Sequence, residues 1–141
     1  GNDVLIGGDG DDKLDAKGGR DLLIGGSGAD KLKGHKDEDI LIGGETPIDN
    51  RLASICDTMD HWTQTDVDLD GDDDQDDLSM RAAAILDAYF LDMSVSDGSR
   101  DELDGGSGSD WFIADTVHDG DRVKDHSDDI FGIDADWFSL D

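Results

Sequence analysis

Gly7-Gly-Asp-Gly-Asp-Asp-Lys-Leu-Asp15 runs without a gap into Ala16-Lys-Gly-Gly-Arg-Asp-Leu-Leu-Ile24, then Gly25-Gly-Ser-Gly-Ala-Asp-Lys-Leu-Lys33 and Gly34-His-Lys-Asp-Glu-Asp-Ile-Leu-Ile42. Gly1-Asn-Asp-Val-Leu-Ile6 supplies the last two-thirds of an earlier unit. Aspartate falls at 3, 12, 21, 30 and 39, and leucine at 5, 14, 23, 32 and 41, so the register never slips. Each unit is a glycine-rich turn that ends in Asp, followed by three residues centred on Leu. Glycine admits the positive φ angles that let successive carbonyls converge. In a strand the central Leu faces one way and its two neighbours the other.

Working outward, the pattern resumes at Ser96-Asp-Gly-Ser-Arg-Asp-Glu-Leu-Asp104 and Gly105-Gly-Ser-Gly-Ser-Asp-Trp-Phe-Ile113. Alternate strands differ in character. Val4-Leu-Ile6, Leu22-Leu-Ile24, Ile40-Leu-Ile42 and Trp111-Phe-Ile113 are apolar throughout, whereas Lys13-Leu-Asp15, Lys31-Leu-Lys33 and Glu102-Leu-Asp104 are apolar only at the centre. If alternate strands stack, one sheet has a solvated outer face and the other an apolar one that demands a cover.

The run of GGxGxD turns followed by x-apolar-x resembles the RTX, or hemolysin-type calcium-binding, nonapeptide repeat family. The resemblance covers 1–44 and 96–113 and implies a mainly β fold, a right-handed parallel β-roll. It also implies that nine residues make half a turn, so that equivalent turns on one edge lie eighteen apart with calcium between them. Carried over, Asp12 pairs with Asp30 on one edge, Asp3, Asp21 and Asp39 stack on the other, and Asp101 and Asp110 line the two edges further on. Carbonyls of Gly8, Gly10, Gly26 and Gly28 complete the shells. His35 and Asp37 stand where the motif has glycine, and Gly43-Gly-Glu-Thr-Pro47 breaks the next turn, which weakens the sites touching them.

Composition agrees with a cation requirement. Eleven Lys and Arg face 38 Asp and Glu, a net charge of −27 in 141 residues with only 35% hydrophobic residues. Such a chain repels nucleic acid and anionic membrane and by default stays expanded. Several bound Ca²⁺ ions would neutralise it, because Ca²⁺ prefers clustered oxygen ligands. The lone Cys56 excludes an internal disulfide, and no apolar stretch is long enough to span a membrane. The start at Gly1, inside a repeat, reads as a fragment of something longer.

Segment 45–95 interrupts the repeats. Ile48, Leu52, Ile55, Cys56, Met59 and Trp62 recur at helical spacing, which puts Cys56 in the core. Thr46, Pro47 and Asp49 suit an N-cap, first-turn proline and acidic N3. A second helix candidate carries Leu78, Ala82, Ile85, Leu86 and Tyr89, and the two helices are expected to cover the apolar sheet. Between them Asp66, Asp68, Asp70, Gly71, Asp72 and Asp77 resemble an EF-hand or dockerin-type loop over 66–77. Asp73 stands where an apolar residue normally sits, and Asp77 is shorter than the usual Glu. The loop is either a calcium site or a solvated acidic linker, and the flanking helices favour the site. Segment 114–141 is expected to cap the roll's open end, with Asp121 and Asp128 as candidate ligands of a further ion.

His35, His61, His118 and His126 form no metal or catalytic pattern, and no catalytic role is expected in these residues. The resemblance implies a module of a larger bacterial secreted or surface protein, exported through a type I secretion system and folded outside by calcium. Two other functions stay open: an adhesin or carbohydrate-binding module, supported if Trp111, Trp137 or Tyr89 form an exposed row, or the tail of a secreted protease, lipase or epimerase.

Overall fold

A computed structural model describes residues 1–44, 52–62, 98–108, 110–114, 120–124 and 130–133. The chain forms two compact units: one contains Gly1–Thr46 and Ser94–Asp141, the other Pro47–Met93.

The first unit is a parallel β-roll. Strands β1 (Val4–Asp9), β3 (Leu22–Ser27), β5 (Ile40–Ile42), β7 (Trp111–Ala114) and β9 (Ile130–Ile133) form one sheet in that order. Strands β2 (Lys13–Asp15), β4 (Lys31–Lys36), β6 (Glu102–Ser107) and β8 (Arg122–Lys124) form the other. Consecutive strands thus alternate between sheets. The register follows the eighteen-residue repeat, with Leu5 opposite Leu23 and Leu14 opposite Leu32. Leu32 then pairs across the insertion with Leu103.

The core lies between the sheets and is built from the central residues of β1 to β8. Leu23, Leu32, Leu41, Leu103 and Phe112 are buried together, with Leu5, Leu14 and Val123 packed against them. Between the sheets this amounts to one central apolar side chain per nine residues, a thin layer.

The outer faces differ as the sequence requires. Lys13, Asp15, Lys31, Lys33 and Glu102 are exposed. On the other sheet Leu22, Ile24, Ile40, Ile42 and Trp111 are fully buried, whereas Val4 and Ile6 on β1 each keep 39% of their surface exposed. That face is therefore buried from β3 through β7.

Two features lie outside the sequence reading. The sheets run on through β8 and β9, inside the segment expected only to cap the roll. The insertion, moreover, sits within a single turn. A Cβ added to Gly43 would lie 2.5 Å from Asp101 Oδ2, the same relation that Gly25 bears to Asp30 five residues later. The chain leaves the roll at one side of a nonapeptide turn and re-enters to finish it.

In the second unit, helix α1 (Leu52–Trp62) buries Ile55, Thr58, Met59 and Trp62, and Thr58 Oγ1 donates to Ser54 O at 2.8 Å. Cys56 is exposed, not core. It follows Ile55 by one residue, about 100° round the helix and off the stripe made by 55, 59 and 62. The expected cap at Thr46, Pro47 and Asp49, the second helix and the 66–77 loop with Asp66, Asp68, Asp70, Asp72 and Asp77 lie outside the described residues, as does Asp128.

Candidate metal centre

The repeat aspartates form two ladders, one along each edge of the roll. On the first, the backbone N–H of Asp3 donates to Asp21 Oδ1 at 2.6 Å, that of Asp21 to Asp39 at 2.9 Å, and that of Asp39 to Asp110 at 2.9 Å. On the second, Asp12 donates to Asp30 at 2.8 Å, Asp30 to Asp101 at 2.7 Å, and Asp101 to Asp121 at 2.9 Å. Asp3, Asp12, Asp21, Asp30, Asp39 and Asp101 are each tied a second time through the carbonyl, which accepts from the first strand residue of the next coil. Leu22 N to Asp3 O is 2.9 Å, Ile40 N to Asp21 O 2.8 Å and Glu102 N to Asp30 O 2.8 Å. The ladders join the residues the repeat brought together, with Asp101 on the Asp12 edge and Asp110 on the Asp39 edge. Asp121, expected with Asp128 to hold a further ion, instead closes the second ladder. Its signal is Asp121-Arg-Val-Lys124, the end of a nonapeptide without the glycines.

In Asp12, Asp21 and Asp39 these hydrogen bonds use the backbone and at most one carboxylate oxygen, and leave Oδ2 for something else. Oδ2 of Asp12, Asp21 and Asp39 is buried and accepts no hydrogen bond. Asp21, Asp30, Asp39, Asp101 and Asp110 have at most 1% of their surface exposed. A buried carboxylate oxygen without a donor is costly, and a bound cation removes that cost.

Carbonyl oxygens stand beside these carboxylates. The space where Gly7 would carry a Cβ is bordered by Asp12 Oδ2 at 2.7 Å and Gly25 O at 2.5 Å, and that at Gly25 by Asp30 Oδ2 and Gly43 O, each at 2.5 Å. The carbonyls of Gly8 and Gly10 face Gly26 and Gly28 of the next coil. Gly25 and Gly43, the first glycines of their units, supply the oxygens beside the carboxylates and lie outside the expected ligand set. Among the described residues no three carboxylate, histidine or thiol groups gather into a cage. A site here would rest on one carboxylate oxygen per turn plus backbone carbonyls, a hard-oxygen donor set suited to Ca²⁺ rather than to zinc or copper.

The departures from the motif keep its conformation. Lys17, His35 and Asp37 stand at glycine positions and still adopt φ of 82°, 84° and 72°. The two turns they belong to are strained rather than lost. His35 is exposed, with Nε2 3.0 Å from Asp15 Oδ1, and Arg20 pairs with Glu38.

Burial pushes the Asp39 carboxyl up to about 8, and the neighbouring Asp110, Asp21 and Asp37 charges add to the effect against the hydrogen bond from Asp21 N–H. Asp21 is raised in the same direction, chiefly by burial. Raised values mean that the metal-free roll favours protonated carboxyls. The Asp39 contribution is complete below the ordinary value of 3.8 and is lost as pH rises through about 8. In chelator, lowering the pH from about 8 toward about 4 is therefore expected to increase β content, read by far-UV circular dichroism. Because cation and protons compete for the same oxygens, the calcium midpoint should rise over that range.

The model of the RTX calcium-binding nonapeptide repeat matches this chain in four copies, over 1–23, 16–45 and 95–120, a little more than half its length. No curated protein and no solved structure was found to match. Turns, ladders and repeat match together make the chain a member of the RTX calcium-binding nonapeptide repeat family.

Proposed function

We propose that this chain is a calcium-driven folding module of a larger bacterial secreted or surface protein, with no catalysis of its own. Calcium binding and a typically secreted bacterial context come with the family. The observation that carries the reading is the pair of buried aspartate ladders, in which Oδ2 of Asp12, Asp21 and Asp39 has no hydrogen-bond donor. Without cations, a chain of net charge −27 must bury like charges along each edge, and the expanded state wins. When calcium binds, its binding free energy becomes folding free energy. An unfolded chain in low cytoplasmic calcium suits passage through a type I secretion channel, and millimolar calcium outside then folds it. No described helix is long and apolar enough to cross a membrane.

The test is a calcium titration of the full chain followed by far-UV circular dichroism, with magnesium as control. A cooperative coil-to-β change that chelator reverses and magnesium fails to produce is the expected result. A β spectrum already complete in chelator at neutral pH would overturn the reading.

A carbohydrate-binding role through exposed aromatics gains no support from Trp111, which is fully buried; Trp137 and Tyr89 lie outside the described residues.

A further inference from the structure

Five of the chain's eleven Lys and Arg share one surface. Lys13, Lys31, Lys33, Arg122 and Lys124 occupy outward positions on β2, β4 and β8 of the four-stranded sheet. In a chain of net charge −27 this is a local reversal of sign. The cations border a groove of about 390 Å³, lined by the outward residues of β4, β6 and β8 together with their central Leu32, Leu103 and Val123.

The groove is mixed in charge, and the pairing within it decides what fits. Lys31 pairs with Glu102 at 3.2 Å and Lys124 with Asp104 at 3.2 Å. Lys33 and Arg122 are left without an ion pair among the described residues. They stand on strands two apart in the sheet and in different outward columns, a diagonal of about 12 Å between Cα positions from ordinary sheet spacings. Two free cations flanking two carboxylates suit a ligand that carries sparse anionic groups with hydrogen-bond donors between them. A dense polyphosphate would meet Glu102 and Asp104 at the centre of the groove, and a second copy of this polyanion would be repelled as a whole.

We propose that this face binds an acidic oligosaccharide of the uronic acid class. One planar carboxylate is taken by the Arg122 guanidinium fork and another by Lys33, while sugar hydroxyls donate to the outer lone pairs of Glu102 and Asp104. The surface is separate from the aspartate edges, so the proposal goes beyond calcium-driven folding and needs only that the roll be folded.

The test uses the full chain in saturating calcium, titrated calorimetrically with a galacturonic acid tetramer at fixed free calcium. A neutral glucose tetramer, a sulfated glycan of equal length and polyphosphate are run in parallel. Saturable binding of the galacturonate, stronger than any of the three, is expected. The double variant Lys33→Gln with Arg122→Gln should weaken binding about tenfold or more without moving the calcium midpoint. Equal binding by the double variant, no saturable binding, or a preference for sulfate, phosphate or the neutral sugar would overturn the proposal. If calcium fails to fold the chain, the midpoint shows it first, which separates that failure from the failure of a folded roll to bind sugar.

Discussion

Gly26→Ala should abolish or severely weaken calcium-induced folding, while Gly8→Ala should leave a chain that folds at a modestly higher calcium concentration. The two glycines share a backbone conformation, with φ of 103° and 102°, so the left-handed penalty of about 1–2 kcal/mol for an L-residue is common to both. They differ in what a Cβ would meet. At Gly8 nothing lies within 4 Å, whereas at Gly26 the new carbon would run into the carbonyl and Cα of Gly8 in the preceding coil. That neighbour cannot retreat cheaply, because the two residues are partners in the β1–β3 register and Gly10 N–H holds Ser27 O at 2.7 Å. Opening the stack would break those bonds, at about 1 kcal/mol or more each. Against a domain stability of about 5–15 kcal/mol, strain plus lost stacking is a large fraction. Calcium titrations of both variants by circular dichroism decide the matter. Equal midpoints would mean that the coils do not stack through their turns.

Asp39→Asn and Asp39→Ala should separate the two tasks of one carboxylate. Asp39 is fully buried, its Oδ1 accepts from Asp21 N–H at 2.9 Å, and its Oδ2 has no donor. Asparagine keeps the acceptor and removes the charge that burial opposes. In chelator near pH 8 the Asn variant should hold more β structure than the parent, yet need about tenfold more calcium or worse, as expected for losing a charged ligand. Alanine also strands the Asp21 N–H in a buried site, costing about 1–3 kcal/mol, and should fold poorly with or without calcium. An Asn variant with an unchanged calcium midpoint would remove Asp39 from the calcium shell.

Much of this architecture is legible in the sequence because the nine-residue period is written in side chains. Leu5, Leu14, Leu23, Leu32 and Leu41 mark the core, and the aspartates two residues earlier mark the edges. Asp121 was harder to place because Glu102 pairs with Arg122, a spacing of twenty rather than eighteen, and its turn lacks the glycine signature. Cys56 misled because helical spacing alone draws the buried stripe too wide; only three-dimensional packing narrows it. His35 and Asp37 read as defects, yet their backbones follow the glycine pattern, since the coils above and below dictate the conformation. The meeting of Gly43 with Asp101 was invisible from composition, because their proximity is a property of the closed turn and not of any local pattern.

That split turn has a kinetic consequence. Coils built from 1–44 join partners eighteen residues apart, but β4 can find β6 only after a chain of about fifty residues has been looped out between them. Loop closure grows only slowly more costly with length, but contacts distant in sequence form later. The N-terminal coils should therefore zip first and present Asp30 and Asp39 as a template. Asp101 and Asp110 then dock onto it, so that the roll assembles in two stages with a rate set by the second.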